Sequence, residues 1–104
     1  MVDVGLTQKE MNSTQKLDRL NELLKKEYES ISIDVNDDTY FVLGNGVVFQ
    51  VLYFPPFDCF TVSYANSIDD ANRDFFEEGD QFDGSQDIEI IFREIQKEIA
   101  GEAA

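Results

Sequence analysis

The stretch that decides the fold runs from Tyr40 to Tyr64 and reads YFVLGNGVVFQVLYFPPFDCFTVSY. It is the most apolar part of the chain and is rich in β-branched and aromatic residues, which are enriched in strands. Two turn signals divide it, Gly44-Asn45-Gly46 and Pro55-Pro56, because Gly and Asn tolerate positive φ angles and Pro cannot donate to a strand ladder. The pattern predicts three antiparallel strands, near residues 39–43, 47–54 and 59–65.

An arm, a helix and a further strand are predicted before this stretch. Residues 1–13 show no clear period, and we interpret them as a flexible arm. From Thr14 on, apolar residues recur at the helical period, which predicts an amphipathic helix of about four turns. These apolar residues are Leu17, Leu20, Leu24 and Tyr28. The alternation of apolar and polar residues from Ile31 to Val35 is typical of a strand with one buried face.

The only basic cluster of the chain lies on the first predicted helix. Its members alternate with acids, so we expect a solvated outer face rather than a binding patch. They are Lys16, Arg19, Lys25 and Lys26.

Two helices are predicted after the apolar stretch. Ser67 is a suitable N-cap for a short helix that carries Ala71 and Phe75 and ends near Gly79. Residues 80–84 are expected to form a loop, and Ser85 to cap a final helix. That helix has an apolar stripe at helical spacing. The stripe consists of Ile88, Ile91, Phe92, Ile95 and Ile99.

These elements predict one α+β domain covering residues 1–104. It contains an N-terminal helix, an antiparallel meander of three to four strands, and two C-terminal helices packed with the first helix on the sheet. We expect the last helix to be buried against the first helix and the central strand. The residues that should meet are Ile91, Phe92 and Ile95 on one side, and Leu20, Leu24, Phe49 and Val51 on the other.

The chain is strongly acidic, with 22 Asp and Glu against 8 Lys and Arg, a net charge of −14 and no His. Such a surface repels phosphate backbones and anionic lipids, so direct binding to nucleic acid or membrane is disfavoured. Basic protein surfaces are the natural electrostatic partners. The oligomeric state stays open.

Few kinds of catalytic or metal site can be built from this composition. Without His, and with Cys59 as the only Cys, the common Ser/His and Cys/His dyads and Cys-based zinc sites are excluded. We interpret Cys59 as a structural thiol on a strand. A calcium loop with Gly79 or Gly84 at its sixth position lacks the required acid at its twelfth. The sequence therefore predicts no catalytic residue, metal or cofactor, and a carboxylate enzyme that uses a divalent metal is a weaker rival.

The location of the protein is also an expectation from sequence. The N-terminus MVDVGLTQKE lacks the basic region and long apolar run of a signal peptide. The longest apolar block, Val47–Phe54, is too short to span a bilayer. We therefore expect the protein to be cytoplasmic.

The charge is concentrated in the second half, where residues 66–89 contain nine acids and a single base, Arg73. Solubility and helix-dipole compensation explain the acids near helix N-termini, but explain those from Asp74 to Asp83 less well. Residues 70, 74, 77 and 78 are three or four apart, which predicts one acidic helix face with β-carbons about 5–6 Å apart. The candidate partner-binding residues are Asp69, Asp70, Asp74, Glu77, Glu78, Asp80, Asp83 and Asp87.

This architecture and charge are similar to those of small nucleic-acid-mimicking inhibitors carried by phages and mobile elements, a resemblance of class with no shared motif. It implies a non-enzymatic inhibitor that blocks a nucleic-acid-binding defence enzyme of a bacterial host, such as a CRISPR or restriction complex. The alternative is an intracellular adaptor that binds through an aromatic loop. The loop residues are Tyr53, Phe54 and Phe57, with Phe60 beside them.

Overall fold

The computed structural model of this protein describes residues 11–32 and 39–103. Within these residues the chain forms three α-helices and one five-stranded antiparallel sheet. The elements are α1 (Ser13–Glu27), β1 (Glu29–Ser32), β2 (Thr39–Val42), β3 (Val48–Phe54), β4 (Cys59–Ala65), α2 (Ile68–Asn72), β5 (Glu77–Asp83) and α3 (Ile88–Ala103). The predicted α+β class is confirmed, with one strand more than the predicted maximum of four. Most of the predicted arm, and part of the strand predicted up to Val35, lie outside the described residues.

The sheet is a simple meander in which each strand pairs with the next in the order β1-β2-β3-β4-β5. The longest pairing joins β3 to β4, from Val48 opposite Ala65 to Phe54 opposite Cys59. The predicted turns lie between the strands. Gly46 has a φ of 89°, and a short 3₁₀ helix at Pro55–Phe57 connects β3 to β4.

The main core lies between the sheet and the pair α1 and α3. Ile91 and Ile95 are fully buried against the leucines of α1 and the inward residues of β3, and Phe92 packs partly buried at the edge of this cluster. The cap of α1 is a capping box in which Asn12 and Gln15 bond each other's backbone N–H groups. The predicted packing of the first and last helices on one face is therefore confirmed.

The short helix α2 lies on the opposite face of the sheet. Its Ala71 packs with Tyr40, Val48 and Ala65, and Phe76 stacks on Tyr40 with ring centroids 5.7 Å apart. This second cluster covers the end of the sheet where β4 runs into α2.

The acidic run has a different secondary structure from the predicted one. The helix expected to reach Gly79 ends at Asn72, and Asp74 has a positive φ of 61°. Residues 77–83 then form β5, where the end of a helix and a loop were predicted. One apolar residue of this strand, Phe82, packs into the main core. The backbone of the strand forms ladder hydrogen bonds with β4, which satisfies its polar groups on that side.

The interpretation of Lys16 as part of a solvated basic face is also wrong. Its side chain is buried, and its ammonium donates to the carbonyl oxygens of Gly84 at 2.6 Å and Gln86 at 3.2 Å. The contact joins the first turn of α1 to the turn before α3. A lysine stem can lie along apolar surface in this way while its charged end reaches polar groups.

Candidate functional site

The eight predicted acidic residues are distributed over two elements, α2 and β5, and the segments that follow α2 and precede α3. Asp69 and Asp70 occupy the first turn of α2, Asp74 follows this helix, and Asp87 precedes α3. The four others belong to β5. Seven of the eight are exposed and Asp70 is half-buried. The single helix face predicted for residues 70, 74, 77 and 78 does not exist, because the helix ends before Asp74.

The centre of the acidic surface is the edge strand β5. It pairs with β4 on one side, and no other strand of the described residues pairs with its outer side. Residues opposite each other in an antiparallel pair point to the same face. Glu77 is opposite Tyr64 and therefore shares the face of α1 and α3, whereas Glu78 and Asp83 are opposite Ser63 and Cys59 and share the other face. Acids thus project to both sides of one sheet edge.

An irregularity in β5 is built around Gly79 and Glu98. The pairing shifts between Thr61 and Ser63, and the backbone N–H of Asp80 donates to Glu98 Oε2 at 2.8 Å. A β-carbon at Gly79 would lie 2.8 Å from the carbonyl oxygen of Val62 and would overlap the Glu98 carboxylate. Only glycine lets α3 approach the strand this closely, so the bulge depends on both residues.

Burial and neighbouring charge shift the pKa values in this region. Burial raises the pKa of Glu98, and the nearby Asp80 carboxylate adds to that effect. The Tyr64 hydroxyl donates to the same Glu98 oxygen at 3.3 Å, and burial followed by the Glu98 charge raises the pKa of Tyr64.

A strongly acidic recess of about 480 Å³ lies between β5 and the C-terminal half of α3. Acidic residues of both elements line it, together with one base, Lys97. These acidic residues are Glu77, Glu78, Asp80, Glu98 and Glu102. The sequence interpretation missed Glu98 and Glu102, although acids at 94, 98 and 102 are four residues apart and therefore lie along one helix face.

The acids of this surface lack ion-pair partners within the part of the chain that the structure describes. The one ion pair found there joins Arg19 to Glu22 on α1, at 3.2 Å. Arg73, the base inside the acidic run, lies over the Phe75 ring with its guanidinium carbon 5.4 Å from the centroid. The acids of β5 are therefore not held in direct ion pairs within the described residues, although Lys97 lines the same recess.

Two of the predicted acids have local roles as well. Asp83 accepts hydrogen bonds from the backbone N–H and hydroxyl of Ser85, which hold the pKa of its carboxyl below the usual value. Asp87 is not part of the β5 surface. It lines a different recess of about 570 Å³, which it shares with Lys16 and Asp58.

The predicted aromatic loop is split between two faces of the sheet. The rings of Phe54 and Phe57 are 5.4 Å apart, and these side chains are 43% and 70% exposed. Tyr53 points the other way, with its ring 5.1 Å from that of Phe60 and its hydroxyl donating to Asp58 Oδ1 at 2.7 Å. The structure thus brings together Phe54 and Phe57 but separates them from Tyr53.

Cys59 is buried on β4, in the structural position expected of it. Among the described residues, no group of three or more Cys, Asp or Glu side chains is arranged to hold a metal ion. No helix in the same ranges has the length and apolar character needed to cross a membrane.

Comparison of the chain with protein-family models, with curated proteins and with solved structures finds no match.

Proposed function

We propose that this protein is a non-enzymatic inhibitor that occupies the basic nucleic-acid-binding surface of a bacterial defence enzyme, such as a CRISPR or restriction complex. In this proposal a phage or mobile element encodes it, and it acts in the cytoplasm of the host. The observation that carries the proposal is β5, an edge strand on which four of seven residues are acids without ion-pair partners among the described residues.

The row of acids along β5 supports mimicry of a nucleic-acid strand. A β-strand rises about 3.3 Å per residue, and each strand of duplex DNA carries one phosphate per about 3.4 Å of axis. The acids of β5 are Glu77, Glu78, Asp80 and Asp83, and those of α2 and the following turn precede them in the chain. Four acids over seven residues give about one charge per 6 Å of strand, so a basic groove that normally holds phosphates would meet about half the anion density of one nucleic-acid strand.

The electrostatics favour a protein partner over nucleic acid itself. A net charge of −14 repels phosphates and attracts Lys and Arg surfaces over long range, which raises association rates. Because β5 is held by the β4 ladder and the Glu98 contact, the backbone that carries its acids is fixed before binding, which lowers the ordering cost of association.

Acids on an edge strand also oppose edge-to-edge pairing with other chains, and this role needs no partner. The experiment must therefore separate binding from solubility. The variant Glu77→Gln, Glu78→Gln, Asp80→Asn removes three exposed charges of β5. The matched control Asp18→Asn, Glu29→Gln, Glu94→Gln removes three charges from α1, β1 and α3.

Parent, variant and control are each immobilised and exposed to the same bacterial lysate. Proteins that the immobilised chain retains are then challenged with duplex DNA at constant ionic strength. Each protein that the DNA releases is bound to labelled DNA, and the soluble parent is tested for its ability to displace that DNA. We expect the parent and the control to retain DNA-displaceable proteins with salt-sensitive binding, and the β5 variant to lose them. Equal capture by the β5 variant, or capture that DNA does not displace, would contradict the proposal.

A further inference from the structure

Within the described residues, the sheet face opposite α1 and α3 is covered at one end and open at the other. The α2 cluster covers the end near Ala65 and Val48. Toward the other end of β3 three large apolar side chains on this face are exposed. They are Leu52 at 41%, Phe54 at 43% and Phe57 at 70%.

The strand register gives this open region the shape of a groove. Leu52, Thr61 and Gln81 form one row across β3, β4 and β5, and Phe54, Cys59 and Asp83 form the next. In both rows the central residue, on β4, is small and buried. A floor of small side chains therefore runs between a wall of large side chains on β3 and a wall on β5.

The two walls differ in chemistry. The β3 wall is apolar and is extended by Phe57, which packs beside Phe54. The β5 wall is polar and acidic, with Glu78, Gln81 and Asp83 on this face. The hydrogen bonds from Ser85 favour the charged form of Asp83. An occupant must present apolar side chains to one wall and cationic side chains to the other.

The backbone of the floor decides between an extended and a helical occupant. β4 is paired with β3 and β5 on its two sides, so its N–H and C=O groups are engaged in the sheet. An extended peptide lying in the groove would find no ladder partners there, whereas an α-helix satisfies its own backbone groups. The strands that carry the two walls are two spacings apart, about 9.6 Å between their backbones, so an α-helix of about 10–12 Å diameter would rest on both walls at once.

We propose that this groove binds a cationic amphipathic α-helix of a partner protein. Its apolar side chains contact Leu52, Phe54 and Phe57, and its Lys or Arg side chains face Glu78 and Asp83. The inference does not rest on the proposed inhibition of a nucleic-acid-binding enzyme, because a binding protein of any activity could use this groove. It also differs from the predicted aromatic loop, since Tyr53 has no part in it.

Two synthetic peptides test the proposal. Both contain about 14 residues of Leu and Lys in the same proportion, one with the leucines on a single helical face and the other with them spread around the helix. Binding of the labelled peptides to the full chain is measured by fluorescence anisotropy at about 150 mM salt, where long-range attraction is screened. The amphipathic peptide should bind roughly tenfold tighter or better than its isomer, because truncating a central apolar contact commonly has an effect of that size.

Variants locate the site. Leu52→Ser with Phe57→Ser should weaken the amphipathic peptide roughly tenfold or more, while Ile90→Ser, at a 40% exposed position on α3, should not. Glu78→Gln should weaken binding and reduce its salt dependence, whereas Glu89→Gln on α3 should do neither. Thermal melts check that each variant folds, and these exposed positions should tolerate the changes.

Three outcomes would overturn the proposal. They are equal affinity for the two peptides, full affinity of the Leu52 and Phe57 double variant, and absence of binding by the parent chain. Sedimentation of the parent alone adds a further check, because a dimer that the double variant loses would show that a second copy of this chain occupies the groove.

Discussion

At the scale of single residues, Glu98 connects the acidic edge to the rest of the molecule. Its carboxylate accepts from the Asp80 backbone and from the Tyr64 hydroxyl, and it lies where a side chain at Gly79 would have to be. A carboxylate in this position stabilises the bulge through hydrogen bonds, yet its negative charge is placed near Asp80 and Glu102. The balance between these effects depends on its protonation.

We predict that Glu98→Gln stabilises the protein more at pH 7 than at pH 4. The folded-state pKa of Glu98 is raised above its ordinary value of 4.5, so ionisation of this group opposes folding. The stability that the protonated carboxyl contributes is present below pH 4.5 and is lost as the pH rises through the raised folded-state pKa. Gln stays neutral and retains an oxygen that can accept from Asp80.

The measurement is the urea midpoint of parent and variant at both pH values. Glu94→Gln, one turn earlier on α3, controls for the loss of one negative charge. If the gain in urea midpoint of Glu98→Gln over the parent is the same at pH 4 and pH 7, or larger at pH 4, this account is refuted.

Lys16 shows what a residue-by-residue interpretation of sequence misses. The basic cluster to which it belongs alternates with acids along α1, so the pattern indicates solvent. Its partners, the carbonyl oxygens of Gly84 and Gln86, lie 68 and 70 residues away and close together only once α3 is docked. No local pattern contains that information.

At the scale of elements, the meander and the outer helices could be predicted because their apolar residues recur at clear periods. β5 could not, because its sequence EEGDQFD offers a single buried apolar residue, Phe82. The strand forms because β4 presents an unpaired edge and Phe82 fills the core beneath it. The predicted acidic residues of this strand are therefore exposed, but they lie on a sheet edge where the sequence predicted a helix face and a loop.

The packing of α3 on the sheet can be tested by shortening one of its buried side chains. Ile95 is fully buried in the main core, so Ile95→Ala should lower the free energy of unfolding by about 2–5 kcal/mol through lost contacts and a residual cavity. Ile90→Ala, at an exposed position on the same helix, should change it by less than about 0.5 kcal/mol. Chemical denaturation of both variants provides the measurement, and similar midpoints for the two would show that α3 is not docked as described.

At the scale of the whole molecule, charge is distributed unevenly along the chain. The first 57 residues carry nine acids and five bases, a net charge of −4, and the remaining residues carry thirteen acids and three bases, a net charge of −10. The fold gathers part of this excess at one sheet edge and the adjoining face of α3. Mutual repulsion there opposes the compact state, and dissolved ions weaken that repulsion.

We therefore predict that the protein is more stable at about 200 mM sodium chloride than at about 20 mM near neutral pH, because the screening length falls below about 10 Å. Urea denaturation at the two salt concentrations measures the effect without adding charge. The variant Glu77→Gln, Glu78→Gln, Asp80→Asn should gain less from salt than the parent, since part of the repulsion is already removed. The control Asp18→Asn, Glu29→Gln, Glu94→Gln should gain nearly as much as the parent, because two of its three charges lie on α1 and β1, away from β5. Equal urea midpoints for the parent at both salt concentrations would show that repulsion among the acids of this edge does not lower the stability of the protein. The argument from repulsion would then be wrong.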